Sequence, residues 1–264
     1  MSATTRRIAA AAALLLAWSG ASAFDTGHHF DLTGAALREE GFGATSIQAV
    51  QVANWLTDYY AANPLSRGAV RTDLNRLHFD NLYGTDEVAR YWARLLANAR
   101  EIALDAARSD DPVTMLAMTG LLLHAVQDFD SHSSWVDGRR AQFPEPFRRE
   151  TWLADRPPEG ARIVTGSYPP YPSPPPSGHP PHGGYDFGLN KDSHIRPMWA
   201  EAYVSAYCAT HEVLGLLRAW AEEGRPGFWS EIRNFELDET GRRRLDLDVE
   251  AARNLSMWVT GKGS

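Results

Sequence analysis

Cysteine is nearly absent from this chain, since Cys208 is the only one in 264 residues. Because a disulfide needs two cysteines, none can form within the chain, and the fold must rely on its apolar core or on another support such as bound metal. Basic residues are also scarce: 26 Lys and Arg stand against 33 Asp and Glu, a formal net charge of −7. This acidic balance argues against binding nucleic acid or anionic membrane through bulk electrostatics.

Several catalytic and architectural motifs are missing as well. The sequence contains no GxSxG nucleophile elbow, no glycine-rich phosphate loop, no internal repeat and no coiled-coil heptads. With a single cysteine and no elbow, the pattern does not indicate a nucleophile carried by a side chain. A hydrolytic function would fit better with an activated water molecule.

The first 23 residues have the pattern of a secretory signal peptide. Two arginines precede an apolar run over residues 8–18, and the segment ends in the small residues Ala-Ser-Ala at 21–23. This pattern predicts cleavage before Phe24 and a secreted or periplasmic mature protein, exported by either the general or the twin-arginine route. The apolar run is too short and too rich in alanine to predict a membrane anchor.

Apolar residues recur at helical spacing along most of the chain, and sustained alternation with a period of two is almost absent. We therefore predict an all-α fold, a single-domain bundle of several helices formed by residues 24–264. Helices are expected over 31–40, 46–62, 86–107, 112–132, 197–223 and 246–259.

A long segment rich in proline and glycine, residues 156–187, interrupts the helical pattern. Neither a helix nor a central strand persists through such a composition, so we expect a long loop. It is either a lid or binding loop, or a disordered surface insertion. His179 and His182 lie within it and are expected to be solvated.

The central predicted helix carries three polar side chains in its apolar stripe. His124, Asp128 and His132 follow one another at intervals of four in the sequence LLHAVQDFDSHSSWV. Residues four apart share a helix face, so all three project from the buried side. Separate burial of three such groups is unfavourable, whereas imidazole and carboxylate one turn apart can bind one metal ion. The pattern predicts a metal site, and the two oxygens of Asp128 could each take one ion.

Candidate ligands also occur in four other stretches. Each is weak evidence alone, because a surface carboxylate, a frayed terminus or a hydrogen-bonded core histidine is the more common role. At Phe24, cleavage would leave an α-amine that binds metal when deprotonated. The stretch NRLHFDN is expected to be too polar and too short for a core helix. The candidates are Phe24, His28 and His29 in FDTGHHFDL, Asp58 in NWLTDYY, His78 and Asp80 in NRLHFDN, and His194 and Glu201 in NKDSHIRPMWAEAY.

As a set, these motifs resemble the zinc-dependent phospholipase C and single-strand nuclease superfamily, an all-α fold whose members hold three zinc ions in a cleft. The spacing H-x3-D-x3-H and the stretch GLNKDSH are most similar to its heterokaryon-incompatibility C-type branch, whose function is obscure. The resemblance covers most of the chain after residue 23, apart from the proline-rich loop and the C-terminal residues. The central spacing is shorter than in the phospholipases, Phe24 replaces a tryptophan, and Met198 stands where the last motif has an acid.

The resemblance implies up to three zinc ions and a ligand set for each. Glu201 enters this set as a substitute for the missing acid, and His28 is the alternative to His29. Asp58 could additionally orient or deprotonate the attacking water. The implied ligands are Asp58, His78, His124 and Asp128 for one ion, Phe24, His29 and Asp128 for the ion paired with it, and His132, His194 and Glu201 for the third.

The resemblance also implies hydrolysis of a phosphodiester. We expect a phospholipid head group ahead of single-stranded nucleic acid, because the chain is acidic and Tyr168, Tyr171 and Tyr185 of the loop could contact lipid or choline. Contact with a membrane surface would be transient, and no obligate protein partner is expected. Three alternatives stay open: a single-strand nuclease whose aromatics stack on bases, a metal-stabilised helical protein without turnover, and a helical domain whose histidines are only core and surface residues.

Overall fold

The computed structural model describes residues 26–62, 69–142, 162–184 and 187–236. Within these ranges the chain forms eight helices and no strand, which confirms the all-α prediction. The predicted signal peptide, Phe24, Tyr185 and the predicted helix at 246–259 lie outside the described residues. The helices are α1 (Thr26–Glu39), α2 (Ala44–Ala62), α3 (Ala69–Leu77), α4 (Thr85–Ser109), α5 (Pro112–His132), α6 (Trp135–Gln142), α7 (Trp199–Gly224) and α8 (Phe228–Arg233).

Helix α5 lies at the centre of the bundle, packed against α2, α4 and α7. Its start has a local cause: the side chain of Asp111 accepts a hydrogen bond from the backbone N–H of Thr114 at 3.0 Å, and Pro112 occupies the first turn. Gly120 lets α2 approach closely, because a Cβ there would lie 2.5 Å from the carbonyl oxygen of Val50. The ligand-type residues of α5 are therefore carried by the most enclosed helix of the described chain.

Helix α4 shows the amphipathic pattern expected of a helix on the outside of a bundle. Val88, Trp92, Leu95 and Ile102 recur at helical spacing on its buried face. The helix ends where Asp110 adopts a left-handed conformation with φ 58°. Its buried stripe packs against α5 and α7 and forms one side of the core.

A set of aromatic rings fills the core beside the C-terminal half of α5. Phe79 contacts the rings of Tyr91, Trp92 and Phe129 with centroid separations of 4.8 to 5.2 Å. Edge-to-face and tilted contacts of this kind stabilise a core beyond simple burial. Phe79 belongs to the turn that follows α3, so this packing fixes the position of the turn.

The prediction for NRLHFDN was wrong in one respect. Asn75, Arg76 and Leu77 form the last turn of α3, and both Leu74 and Leu77 are buried in the core. The helix has nine residues and a polar composition, so tertiary packing accounts for it better than intrinsic propensity does.

The described part of the proline-rich segment packs on the bundle. The backbone N–H of Thr165 donates to Leu82 O at 3.1 Å, that of Asn81 donates to Gly166 O at 2.8 Å, and that of Ser134 donates to Val164 O at 2.9 Å. A disordered insertion is therefore wrong for residues 162–184. Among the described helices, none combines the length and the hydropathy needed to cross a bilayer.

Candidate metal centre

Asp128 is the centre of a group of buried ionisable side chains. Its Oδ1 lies 3.1 Å from His29 Nε2, and its Oδ2 lies 2.7 Å from His78 Nδ1 and 3.0 Å from His124 Nε2. The residues come from α1, the turn after α3, and α5. Each carboxylate oxygen thus faces its own imidazole partners, which is the arrangement a carboxylate needs to bridge two ions.

Asp58 of α2 completes this group, which we call the Asp128 cluster: His29, Asp58, His78, His124 and Asp128. Asp58 Oδ1 lies 3.6 Å from His124 Nε2 and 3.9 Å from His78 Nδ1. Tetrahedral zinc binds nitrogen at about 2.0–2.1 Å, which places neighbouring donor atoms roughly 3.3 Å apart. The separations in the cluster, 2.7 to 3.9 Å, bracket that value. Asp58 is buried and is not the surface carboxylate that its sequence alone favoured.

A second group, the His132 cluster, contains Asp80, His132, His182 and Asp192. His132 Nε2 lies 3.0 Å from Asp192 Oδ1 and 3.2 Å from His182 Nε2. Asp80 Oδ2 lies 4.0 Å from His182 Nε2, and all four side chains are buried. The expectation that His182 is solvated was therefore wrong. His179 is partly buried, and its Nε2 donates to Thr165 O at 2.8 Å.

The structure does not bring His194 and Glu201 to His132. His194 is exposed, with its ring 6.5 Å from that of Trp199, and within the described part of the chain neither residue belongs to a buried group of three potential ligands. The physical reason is a turn in which the backbone N–H of Arg196 donates to Ser193 O at 2.8 Å. Residues 190–193 before the turn are buried and bring Asp192 to the cluster, whereas His194 turns outward.

The structure also distinguishes His28 from His29 as the candidate ligand near Asp128. His29 is buried and faces Asp128, whereas the ring of His28 packs against those of Trp199 and Tyr203 at 5.2 and 6.0 Å. His29 is therefore the histidine that the structure places in the cluster.

In three histidines, the hydrogen-bond partner of Nδ1, the ring nitrogen that faces away from the cluster, shows which nitrogen carries the proton. His29 Nδ1 lies 2.7 Å from Gln127 Oε1, and His132 Nδ1 lies 2.8 Å from the backbone oxygen of His78. His124 Nδ1 lies 3.2 Å from Asn54 Oδ1. An amide oxygen only accepts, so each Nδ1 donates and each Nε2 of a neutral ring presents a lone pair to the cluster. Outer contacts of this kind orient metal-binding histidines.

A lone pair on Nε2 facing a carboxylate oxygen requires a cation or a proton between them. Burial lowers the pKa of His124 to about 3, so this ring is neutral at physiological pH. Burial opposes ionisation of Asp128, but the neighbouring imidazoles of His132 and His29 outweigh it and hold the pKa of that carboxyl well below its usual range. The Asp128 cluster therefore presents an ionised carboxylate beside a neutral imidazole, the protonation state that binds metal.

Elsewhere in the two clusters the pKa shifts differ. Burial raises the pKa of Asp58 to about 7. At His132 burial opposes protonation, yet the carboxylates of Asp192 and Asp128 hold the pKa well above its usual value. Without metal, a proton on His132 bridges to Asp192, and a bound cation would replace that proton.

The described residues thus contain three buried groups that could hold metal ions: His29, His124 and Asp128; Asp58, His78 and His124; and Asp80, His132 and His182. No protein-family model, characterised protein or solved structure matches the chain. Its function must therefore be inferred from the geometry of these groups.

The turn after α3 supplies one residue to each cluster. Phe79 and Asn81 both have positive φ, 52° and 61°, which is unusual for residues other than glycine. The side-chain amide of Asn81 donates to Tyr168 O at 2.7 Å and accepts from Tyr168 N at 2.8 Å, and this pairing fixes the turn. His78 can then face the Asp128 cluster while Asp80 faces the His132 cluster. Strained backbone of this kind is common at functional sites.

Glycine at position 166 makes room for His182. A Cβ on Gly166 would lie 2.4 Å from the Cα of His182, closer than real side chains approach. The approach is held by the backbone N–H of His182, which donates to Ser167 O at 3.0 Å. Nothing in the local sequence signalled this approach, because tertiary packing brings together residues 166 and 167 with residue 182.

Proposed function

We propose that this chain is a zinc-dependent phosphodiester hydrolase, similar to phospholipase C. The observation that carries the proposal is the buried carboxylate of Asp128 with three imidazoles converging on its two oxygens. Nitrogen and carboxylate donors without thiolate are typical of catalytic zinc sites. The sequence resemblance supports the same residues in the same roles.

Two zinc ions would fit the Asp128 cluster and a third the His132 cluster. Asp58, His78, His124 and Asp128 would hold the first ion, and His29 and Asp128 the second, with the α-amine of Phe24 as a further ligand after export. The third ion would take Asp80, His132, His182 and Asp192 in place of His194 and Glu201. Asn54 and Gln127 keep the imidazole lone pairs of His124 and His29 directed into the cluster.

Bound zinc would supply the nucleophile by lowering the pKa of a coordinated water toward neutrality and would neutralise charge on the phosphoryl oxygens. We assign the assisting role to Asp58. Its Oδ2 has no hydrogen-bond partner among the described residues, so it is available to orient the attacking water or accept its proton.

For the substrate we propose a phospholipid head group ahead of single-stranded nucleic acid. Tyr59, which follows Asp58 in the sequence, is 46% exposed and stacks on Trp55 at 5.3 Å, and Tyr171 is equally exposed. Exposed aromatic faces suit a quaternary ammonium, and the acidic chain disfavours a polyanion. Hydrolysis of phosphatidylcholine without loss of single-stranded DNA would support this order, and the reverse result would make the chain a nuclease.

The first test is elemental analysis of the exported chain beginning at Phe24, with His124→Ala as the paired variant. We expect three zinc ions per chain, one for each group of ligands, and loss of the ions that depend on His124 in the variant. His211→Ala is the matched control, because His211 pairs with Glu39 and Glu40 at the surface. No zinc after reconstitution would return these histidines to the role of core residues.

A second candidate is a metal-stabilised helical protein without turnover. It is favoured by the depth of the site, since His124, Asp128 and His132 are fully buried. A structural site is filled by protein ligands, whereas a catalytic site keeps a position for water. Zinc-loaded protein that hydrolyses neither bis(p-nitrophenyl) phosphate nor phosphatidylcholine would favour this candidate.

A further inference from the structure

Lys191 is a buried cation beside the His132 cluster. Only 2% of its surface is exposed, and its Nζ donates to Ser133 O at 2.9 Å, to Leu189 O at 2.9 Å and to Asp137 Oδ2 at 2.8 Å. An ammonium group has three donors, and all three are used. Lysine is almost never fully buried unless it is paired, so this arrangement calls for a role beyond filling space.

Lys191 and its hydrogen-bond partners connect the end of α5, which carries His132, to the segment that carries Asp192. Ser133 follows His132 and caps the C-terminus of α5, where a cation is favoured by the helix dipole. Asp137 lies in the first turn of α6. On the other side, Lys191 is the neighbour of Asp192, whose carboxylate meets His132 Nε2 at 3.0 Å. The ammonium therefore fixes the backbone next to His132 to the backbone next to Asp192.

Other contacts of this segment act in a different way. The backbone N–H of Asp192 donates to Asn190 Oδ1 at 3.1 Å, and Arg196 donates to Asn190 O and Gly188 O at 2.8 and 2.6 Å. These bonds hold residues 188–196 in shape, and the backbone N–H groups of Leu189 and Asn190 donate to Pro181 O and His182 O at 3.1 and 2.9 Å. None of these bonds joins the segment directly to α5 or α6. Lys191 makes that connection through its side chain.

We propose that Lys191 is the positioning residue of the His132 cluster: its ammonium holds Asp192 against His132 and so sets the affinity of the ion bound there. This inference rests on the proposed function, because it presumes an ion in the cluster. Lys191 contacts neither that ion nor the substrate. Its charge acts through the placement of one carboxylate.

The test is a double-mutant cycle of Lys191→Met and Asp192→Asn in the exported chain, with zinc affinity measured by competition with a chromophoric chelator. Residues that orient metal ligands change metal affinity by about 10- to 100-fold, and we expect Lys191→Met to weaken one ion by that factor. The ions that depend on His124 should stay bound. In the Asp192→Asn background, Lys191→Met should have almost no further effect, because the two act through the same carboxylate.

Controls separate this role from a general loss of stability. Arg100→Met removes a cation that pairs with Glu223 on the surface, and it should leave all zinc affinities unchanged. If Lys191→Met does not fold, Asp137→Asn serves instead: its carboxylate is 44% exposed, and the variant should weaken the same ion by a smaller factor.

Two results would overturn the proposal without touching the proposed function. One is unchanged affinity of every ion in the folded Lys191→Met variant, or in Asp137→Asn where that variant replaces it. The other is full additivity of Lys191→Met and Asp192→Asn in zinc affinity, which would mean that the lysine does not act through the carboxylate of Asp192. Absence of zinc from the wild-type chain would overturn the proposed function as well, whereas either of the first two results leaves that function standing.

Discussion

Gly120→Ala tests how closely α2 and α5 must pack to hold the Asp128 cluster. A Cβ at position 120 would lie 2.5 Å from Val50 O, 2.6 Å from Ala53 Cβ and 2.7 Å from Asn54 N, all on α2. Ordinary contact begins near 3.4 Å, so α2 must move by roughly 0.9 Å. Overpacking of a core costs about 1–3 kcal/mol, and the better helix propensity of alanine offsets up to about 1 kcal/mol of it. We expect a net loss of about 1–2 kcal/mol.

The assay is thermal unfolding followed by circular dichroism, with zinc content measured in parallel. A loss of that size lowers Tm by about 2–8 °C in a chain of this length. Because Asn54 orients His124, the same movement should weaken zinc binding. Gly215→Ala on α7 is the matched control, since a Cβ at that position would have no atom within 4 Å, and it should raise Tm slightly. Equal Tm changes in the two variants would refute the reasoning.

Chelation should destabilise the chain that begins at Phe24, because a ligand that binds only the folded state contributes about 2.7 kcal/mol per ion at a hundredfold excess over its Kd. We expect Tm to fall by at least about 5 °C on removal of zinc, and an unchanged Tm would contradict the metal centre. A further prediction concerns how the stability of the chain depends on pH through Asp130. Burial raises the pKa of Asp130 to about 7, and its Oδ1 accepts a hydrogen bond from Ser205 Oγ at 2.6 Å. The folded chain keeps a proton on Asp130 that the unfolded chain releases near pH 4. The protonated carboxyl therefore contributes to the free energy of unfolding at low pH, and this contribution is lost by about pH 7. Asp130→Asn should therefore raise the free energy of unfolding of metal-free protein at pH 8 by an amount on the order of 2 kcal/mol. The free energy of unfolding should also decrease less between pH 4 and 7 in this variant than in the wild type. An equal decrease in both proteins would count against this reasoning.

The parts of the fold that follow from local sequence signals were predictable. Helix α5 has the predicted bounds, 112–132, because an aspartate cap, a proline in the first turn and helical periodicity all lie within the segment. The same periodicity placed His124, Asp128 and His132 on one buried face. Helices α3, α6 and α8 were missed, since each has nine residues or fewer and depends on packing.

The His132 cluster shows where sequence reasoning fails. Asp192 lies two residues before the histidine that the last motif singled out, and no local signal distinguishes a buried side chain from an exposed one before the turn at Ser193 is known. His182 lies among prolines and glycines that predict a solvated loop. It reaches the cluster because Gly166 accepts its backbone at close range, a contact that only the assembled fold creates.

The turn that joins α3 to α4 has a consequence for how the two clusters would influence each other's affinity for ions. Residues 78 and 80 belong to different clusters but are separated by one residue, and Phe79 between them is fixed in the aromatic core. His132 also donates to the backbone oxygen of His78 at 2.8 Å, so a ligand of one cluster orients the peptide that carries a ligand of the other. We therefore expect an ion bound through either side chain to shift the other. In thermodynamic terms, the two clusters would then have a coupling free energy, and filling the first would change the affinity of the second.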